Sequence, residues 1–526
     1  MTRYLIAAEA DKIQDFVFRA SHLREVTGGS SLLSRFCRDV PKDCLGCQPD
    51  DIIINDGGSF RLLFDTLPKA EEGSRLLADL YYLTTGCSLT IAESVEWDGD
   101  DATFASANDL ASSQLRAAKR ASGAAITPHL PQMAFCASTG VELATAFAEI
   151  KKGRAKTYLS RSSLDKKREW EEGKEEFILD FVQHVVGPAQ DTNSFDFPSE
   201  PGQVGRAGGY EPRDYVAYLV ADGNSMGSIF GQCKTRGSLR ELSLRLGEIV
   251  SDCLAEAAKQ VMRHPLRDDQ NRFVPILPLI LGGDDVFVLL PAKWAVSFAQ
   301  EFCLAFEQRM QAFVDRQPEL ANAPKPTMSA AVVICKSKYP FHLAHQRGEQ
   351  LLKEAKRLSK SQPNQAKSVV NFELIVGNRL VDHSRETGAH CPTLRPYWVG
   401  DSPDQHPSVQ QLLDARLGLQ SLPQKRRAEL RTYFEPPKLQ TSGEEREQWR
   451  RDLEGLANRI GQLSGDETIA RTITGSLTAL GKDRGAFYWR SLDLDTSGNA
   501  LPEVLDMWDF LYDLQQDQKK YKEAAE

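Results

Sequence analysis

The sequence predicts an α+β fold containing two βαββαβ units, with helical regions between and after them, and three observations carry that expectation. An apolar run, Tyr215 to Val220, leads into the polar turn Asp222-Gly223-Asn224 and then into helix-spaced apolar residues from Leu239 to Met262. Two more apolar runs, Pro275 to Leu281 and Val286 to Leu290, bracket Gly282-Gly283-Asp284-Asp285. The same succession occurs near the N-terminus, with Ala8-Glu9-Ala10 set against Ala221-Asp222-Gly223 and Asn55-Asp56-Gly57-Gly58-Ser59-Phe60 against the Gly-Gly-Asp-Asp turn, which reads as an internal repeat.

At 526 residues the chain exceeds one hydrophobic core several times over, so two to four domains are expected. In the first unit, 1–100, Tyr4 to Ala8 reads as a strand, followed by helical periodicity through Ile13, Phe16 and Val17 past Leu32 and Phe36. Ile52-Ile53-Ile54 and Phe60 to Phe64 read as strands joined by the glycine turn, and a helix (Glu71 to Leu83) and a strand (Ser88 to Ala92) complete the unit. A helical region with a linker covers 101–205: residues 101 to 155 read as mostly Ala-rich helix, and Pro198 to Pro212 as linker. In the second unit, 206–378, a helix from Ala292 to about Phe313, a strand from Met328 to Ile334, a helix from Phe341 to Leu358 and a strand from Ser368 to Leu374 follow the acid turn. A helical domain is expected over 379–526, ending in an amphipathic helix with Val504, Trp508, Leu511 and Leu514 on one side.

No apolar run approaches the roughly 20 residues that cross a bilayer, and Glu9 and Asp11 interrupt any signal-peptide core, so a cytoplasmic chain is expected. The formal charge of -9 argues against strong intrinsic nucleic-acid binding, which requires Lys and Arg to neutralise phosphates. The ten cysteines are scattered, most in apolar contexts. Cys37, Cys44 and Cys47 cluster, but a single C-x-x-C without a second pair reads better as loop or core thiols than as a metal site.

Asp222 follows one apolar strand, while Asp284 and Asp285 lie between two others, so strand ends of one antiparallel sheet can bring the three acids together. Hard divalent cations take oxygen ligands and are completed by substrate phosphates, so this set suits a metal–triphosphate site. Gly223 and Gly227, either side of Asn224-Ser225-Met226, leave backbone N–H groups open to phosphate oxygens. The helix from Phe341 carries Lys353, Lys356, Arg357 and Lys360, of which Lys356 is expected nearest a triphosphate.

These residues resemble the large polymerase/cyclase subunit of type III CRISPR effector complexes, Cmr-type, itself related to GGDEF cyclases. The resemblance lies in Val220-Ala-Asp-Gly-Asn-Ser-Met-Gly227, Leu281-Gly-Gly-Asp-Asp-Val286, Met328 to Ile334 and Glu349 to Lys356, with Asp11 to Phe18 and Gly28 to Ser34 similar to the family's first palm. It implies two ferredoxin-like palm domains, the first degenerate and the second catalytic, with helical inter-palm and C-terminal domains. It implies that ATP is converted to cyclic oligoadenylate in an RNA-guided antiviral complex whose partners include other effector subunits, guide RNA and target RNA. Asp222, Gly223, Asp284 and Asp285 would then hold two Mg²⁺ or Mn²⁺ ions. Nucleotide would be bound by Gly223, Asn224, Ser225, Met226, Gly227, Gly282, Gly283, Ser329 and Lys356, with a second pocket at Gly57, Gly58 and Ser59.

The sequence also departs from the family. The palm starts at residue 4, and no His-Asp pair is placed like the ligand set of an HD nuclease, so DNA cleavage is not expected. Where an inter-palm zinc knuckle uses several cysteines, Met133 to Thr139 has Cys136 alone, which speaks against zinc there. Asn224 stands where an additional Asp is common. A non-catalytic nucleotide-binding scaffold and a free-standing cyclic-nucleotide synthase remain as alternatives.

Overall fold

The computed structural model describes residues 2–516 apart from residues 12, 21, 122–131, 150–154, 189–190, 208–214, 263–272, 363–365, 377–393, 403–405, 435–442, 465–466 and 482–498. Its first unit runs β1 (Arg3–Ala10), α1 (Ile13–Phe18), α2 (Leu23–Asp39), β2 (Ile52–Asp56), β3 (Ser59–Phe64), α3 (Leu67–Thr85) and β4 (Leu89–Ile91), with strand order β2-β3-β1-β4. A fifth strand, β5 (Val95–Trp97), pairs with the start of β1. Alternation along β1 and β3 buries Ile6, Ala8, Phe60 and Leu62 against the helix that carries Leu77 and Tyr81. Cys37 and Cys47 belong to that apolar cluster, where burial pushes their thiols up to about 12 and about 11, while Cys44 is exposed.

The Ala-rich stretch departs from its predicted helix. Helix α4 (Asp101–Ala121) is followed, after residues outside the described set, by an antiparallel hairpin, β6 (Ala146–Glu149) and β7 (Lys156–Leu159). Alanine favours helix, but here the ladder decides, with Phe147 paired across to Tyr158. Helices α5 (Arg161–Arg168) and α6 (Lys174–Val186) come next, and the predicted linker contains α7 (Pro201–Ala207). Pro201 opens that helix at a position where its missing N–H costs nothing, and Val204 is wholly buried. The rest of the linker, 208–212, lies outside the described residues.

Helix α5 reaches the first unit through Gly28 and Gly29 of α2. A Cβ on Gly28 would stand 2.0 Å from the Lys166 carbonyl oxygen, so only glycine lets the two backbones approach. Lys166 itself is fully buried, lying 4.2 Å from the Phe16 ring centre and donating to the Phe16 carbonyl. Gly28→Ala is therefore expected to cost about 1–3 kcal/mol through overpacking, read as a lowered thermal midpoint, whereas alanine at exposed, helical Gly455 has open space before it.

The second unit repeats the first. It runs β8 (Tyr215–Asn224), α8 (Met226–Phe230), α9 (Arg236–Met262), β9 (Leu277–Gly282), β10 (Asp285–Pro291), α10 (Ala295–Val314), β11 (Thr327–Lys336), α11 (Phe341–Ser361) and β12 (Val369–Leu374). The order β9-β10-β8-β11 matches β2-β3-β1-β4, and β12 and β13 (Tyr397–Trp398) extend the sheet beyond β11. Val216 to Ala221 and Met328 to Cys335 are all buried, as continuous apolar runs between helix layers should be. Each such Val or Leu contributes roughly 1.5–3 kcal/mol relative to exposure.

Helices α12 (Val409–Gly418), α13 (Gln424–Thr432), α14 (Gly443–Ser464), α15 (Glu467–Ala479) and α16 (Leu501–Asp506) complete the described chain. The predicted final amphipathic helix stops at Asp506, although Val504, Trp508, Leu511 and Leu514 are all buried. Tertiary anchoring replaces helical turns there. The Arg416 guanidinium lies 4.7 Å from the Trp508 ring centre and 3.9 Å from that of Tyr512, and the Leu514 amide donates to Ser297 Oγ on α10 at 3.1 Å. No described helix is long and apolar enough to cross a membrane.

Candidate functional site

Strand register assembles the acids. Val286 pairs with Ala221 across β10 and β8, so the next step places Asp285 opposite Asp222, with both side chains on one face. On the other side of β8, Asp222 pairs with Ser329 of β11. The two-residue turn Gly283-Asp284 closes β9 onto β10, with Gly283 at φ +61°. Asp284 packs against Gly223, whose amide donates to its carboxylate. A Cβ on Gly223 would lie 2.9 Å from Asp284 Oδ2 and 2.6 Å from Met226 Cγ, so glycine is what lets the acid turn approach β8.

Burial, and then the crowding of charge, shifts these carboxyls. Burial, then repulsion from Asp222, raises Asp284 to about 6; burial, then Asp222 and Asp284, raises Asp285 to about 7. Asp285 is open to solvent along its cleft yet walled by protein on most other sides. Glu349 on α11 joins the group and is likewise raised, by burial first and then by Asp222. Its role went unread in the sequence, although it lies one helical turn from His345 and two from Lys356.

The basic helix brings Lys356 to the acids, where its partner is Asp222: the ammonium donates to Asp222 Oδ2 in a partly buried ion pair. Among the described residues no group of three or more His, Cys, Asp or Glu side chains is arranged to hold a metal ion. The all-oxygen donor set and its excess of like charge fit a hard divalent cation, while Lys356 already holds Asp222 Oδ2, so a cation at the site would compete with the ammonium for that oxygen.

Two predicted nucleotide contacts are corrected. Ser329 is fully buried and donates to Asn224 Oδ1 at 2.9 Å, and Asn224 donates to Thr327 Oγ1 at 3.0 Å. These side chains satisfy each other beneath the loop and shape it from inside. Ser225, at φ 61°, and Gly227 are exposed, whereas Met226 is buried under the turn.

A cleft of about 510 Å³ lies between the two units, bordered by Glu9, Ser34, Gly57, Asp285, His345 and Glu349. Ser59 lines it too, and Gly58 packs over Ile13 and Ala10. Glu9, the repeat counterpart of Asp222, also meets a helix lysine, Lys119 of α4, at 2.6 Å. Phe18 of the first unit stacks on His345 of the second at 4.3 Å, and burial pushes that imidazole down to about 4, so it is neutral at ordinary pH.

Residues 215–364 match the family model for the second palm domain of Cas10/Cmr2. The chain carries a Cas10/Cmr2 second palm domain. The palm's acid-bearing hairpin is thus Gly282 to Asp285, and the repeat architecture makes the first unit a second copy of the same α+β topology. The chain is similar to the Csm1-Csm4 cassette in complex with cA4, at 15% identity over 72% of this chain and 55% of that one, with a TM-score of 0.45. It is also similar to the Csm1-Csm4 subcomplex in the type III-A CRISPR-Csm interference complex, at 15% identity over 74% and 56%, TM-score 0.45. A third similar structure is Csm1 in T.onnurineus, at 16% identity over 70% and 52%, TM-score 0.42. The chain therefore spans about half the length of the solved structures it matches. No curated protein matches it.

Proposed function

We propose that this chain is the nucleotide-polymerising subunit of a type III CRISPR RNA-guided complex and joins ATP into cyclic oligoadenylate. The palm-domain match supports a nucleotide-binding unit of that kind. One observation carries the catalytic part: β8, β10 with its turn, and α11 bring Asp222, Asp284, Asp285 and Lys356 from three separate stretches of sequence to one corner of one sheet.

In this reading Asp222, Asp284, Asp285 and the Gly223 carbonyl hold Mg²⁺ or Mn²⁺, which when bound supplies Lewis-acid neutralisation of the triphosphate. Lys356 exchanges Asp222 for a phosphate oxygen as nucleotide enters. The turn at Ser225 and Gly227 offers exposed backbone to the same phosphates, and Gly282 and Gly283 keep the hairpin free of side chains that would block them. Each linkage joins a 3′-oxygen of one ATP to the α-phosphorus of the next, and pyrophosphate leaves. The first unit, through Gly57 and Ser59 on the cleft wall, borders the second nucleotide.

The Lys356–Asp222 pair also favours a second reading, a scaffold that holds nucleotide without turnover, because an acid set closed by its own lysine needs no metal. Mass spectrometry of products from each of the four nucleoside triphosphates with Mg²⁺ or Mn²⁺, with and without target-bound partner subunits, decides between them. Oligoadenylate that disappears in Asp284→Ala/Asp285→Ala is the expected result; tight ATP binding without product under every condition selects the scaffold.

A further inference from the structure

Asp56 ends β2 at the tip of the first unit's glycine turn, and none of the roles described above uses it. Its carboxylate is shared between two backbone amides. Oδ1 accepts from its own neighbour Gly57 at 2.7 Å, and Oδ2 accepts from Gly283, 227 residues away in the acid hairpin of the second unit, at 2.8 Å. The two turns meet backbone to backbone: a Cβ on Gly282 would stand 3.0 Å from Gly57 Cα, and one on Gly57 would stand 3.5 Å from the Gly282 carbonyl. Asn55 braces the base of the first turn, its Nδ2 donating to the Cys37 carbonyl of α2 at 3.1 Å. Gly247 of α9 closes the far side, with Asp56 Oδ2 3.8 Å from the position of its missing Cβ.

Gly283 is the residue immediately before Asp284 and Asp285, so whatever fixes its amide fixes the entry of the chain into both acids. The two N–H donors lie against different oxygens of the side chain, so both of its terminal atoms must accept. A carboxylate supplies both, whereas an asparagine of the same size would turn an N–H₂ group towards one of them.

We infer that Asp56 is a positioning residue for the Asp284-Asp285 turn: the first unit reaches across the seam and sets the hairpin's place relative to the cleft. The catalytic consequence rests on the function proposed above, whereas the contact itself does not. The first unit is thus a mechanical support for the acids of the second as well as a wall of the cleft, and the two halves cannot separate without loosening the acid turn.

The test uses the 526-residue chain with its partner subunits and two readouts. Hydrogen exchange of the peptide spanning Gly283 is followed by mass spectrometry, and ATP turnover is split into kcat and KM. Asp56→Asn should speed exchange at the hairpin by about tenfold or more and lower kcat by about 10–100-fold, with KM for ATP within about threefold because no substrate contact is removed. Asp56→Ala should do the same or more; if it fails to fold, the asparagine variant carries the test. Asp50→Ala, which removes the exposed Arg240–Asp50 contact at 3.2 Å across the same seam, and Asp50→Asn, which removes its charge, should leave both readouts unchanged. Unchanged exchange in the Asp56 variants, faster exchange with unchanged kcat, or an equal kcat loss in either Asp50 variant would each overturn the inference. A wild-type chain that makes no product in any complex defeats the proposed function instead, and the exchange comparison still decides whether Asp56 holds the turn.

Discussion

The double variant Asp284→Ala/Asp285→Ala is expected to lose oligoadenylate synthesis by about a thousandfold or more, since it removes two of three carboxylates proposed to hold the cation that neutralises the triphosphate. The same variant should be harder to melt at neutral pH. In the unfolded chain both groups return to the ordinary carboxylate range near 3.9, whereas in the fold they stand at about 6 and about 7. Between roughly pH 4 and pH 7 the native state therefore holds protons that the unfolded state has released, so stability falls as pH rises through that window and stays low above it. Alanine at both positions abolishes this slope. Thermal midpoints in the presence of a chelator at pH 5 and pH 8 should differ less in the variant than in the parent. At pH 8 the variant should melt about 2–4 °C higher, the shift that ~1 kcal/mol gives a domain of palm size. Product made by the variant, or a lower midpoint at pH 8, would contradict the reading of these carboxylates as crowded and metal-seeking.

Lys356→Met should separate the two functions of that lysine. Its removal leaves Asp222, Asp284, Asp285 and Glu349 facing one another with their ammonium gone, so the metal-free fold should lose about 1–2 kcal/mol, less than a fully buried pair would lose because the side chains keep 27% and 25% exposure. Mn²⁺ should bind the metal-free variant more tightly than the parent, by about tenfold, because the cation no longer competes with an internal one. ATP turnover should nevertheless fall by about 10²–10³-fold, with KM rising, because the triphosphate loses a charge-assisted donor. Weaker Mn²⁺ binding in Lys356→Met would mean that the lysine orders Asp222 for the metal instead of occupying its place.

The second unit was legible in the sequence because its strands are long, apolar on both faces and interrupted by glycine turns, a combination that leaves little choice of element. The first unit was legible by repetition. Asp222, Asp284 and Asp285 could be placed together because strand ends have few ways to meet. The ion pair that Lys356 makes was not legible: helical spacing shows which residues share a face but not which acid lies beneath. Ser329 and Asn224 were misassigned for a related reason, since adjacent strands turned their polar groups on each other. The hairpin at Ala146 to Leu159 was hidden by alanine content. Asp56 left a usable signal, an acid preceding a two-glycine turn that mirrors the acid turn of the repeat, but its partner is a backbone amide and no side-chain pattern marks one.

The docking of the C-terminal segment on α10 bears on how the molecule can be dissected. The apolar cluster is continuous from Phe16 and Val17 of the first unit through Phe298 and Phe302 of α10 to Leu511 and Leu514. A chain cut before Leu501 would strip cover from the helix that supports β11, and so from the floor beneath Asp222. Loss of activity after such a deletion would report a collapsed foundation and would say nothing about whether the tail recognises a neighbour; point changes on its solvent face are the cleaner probe.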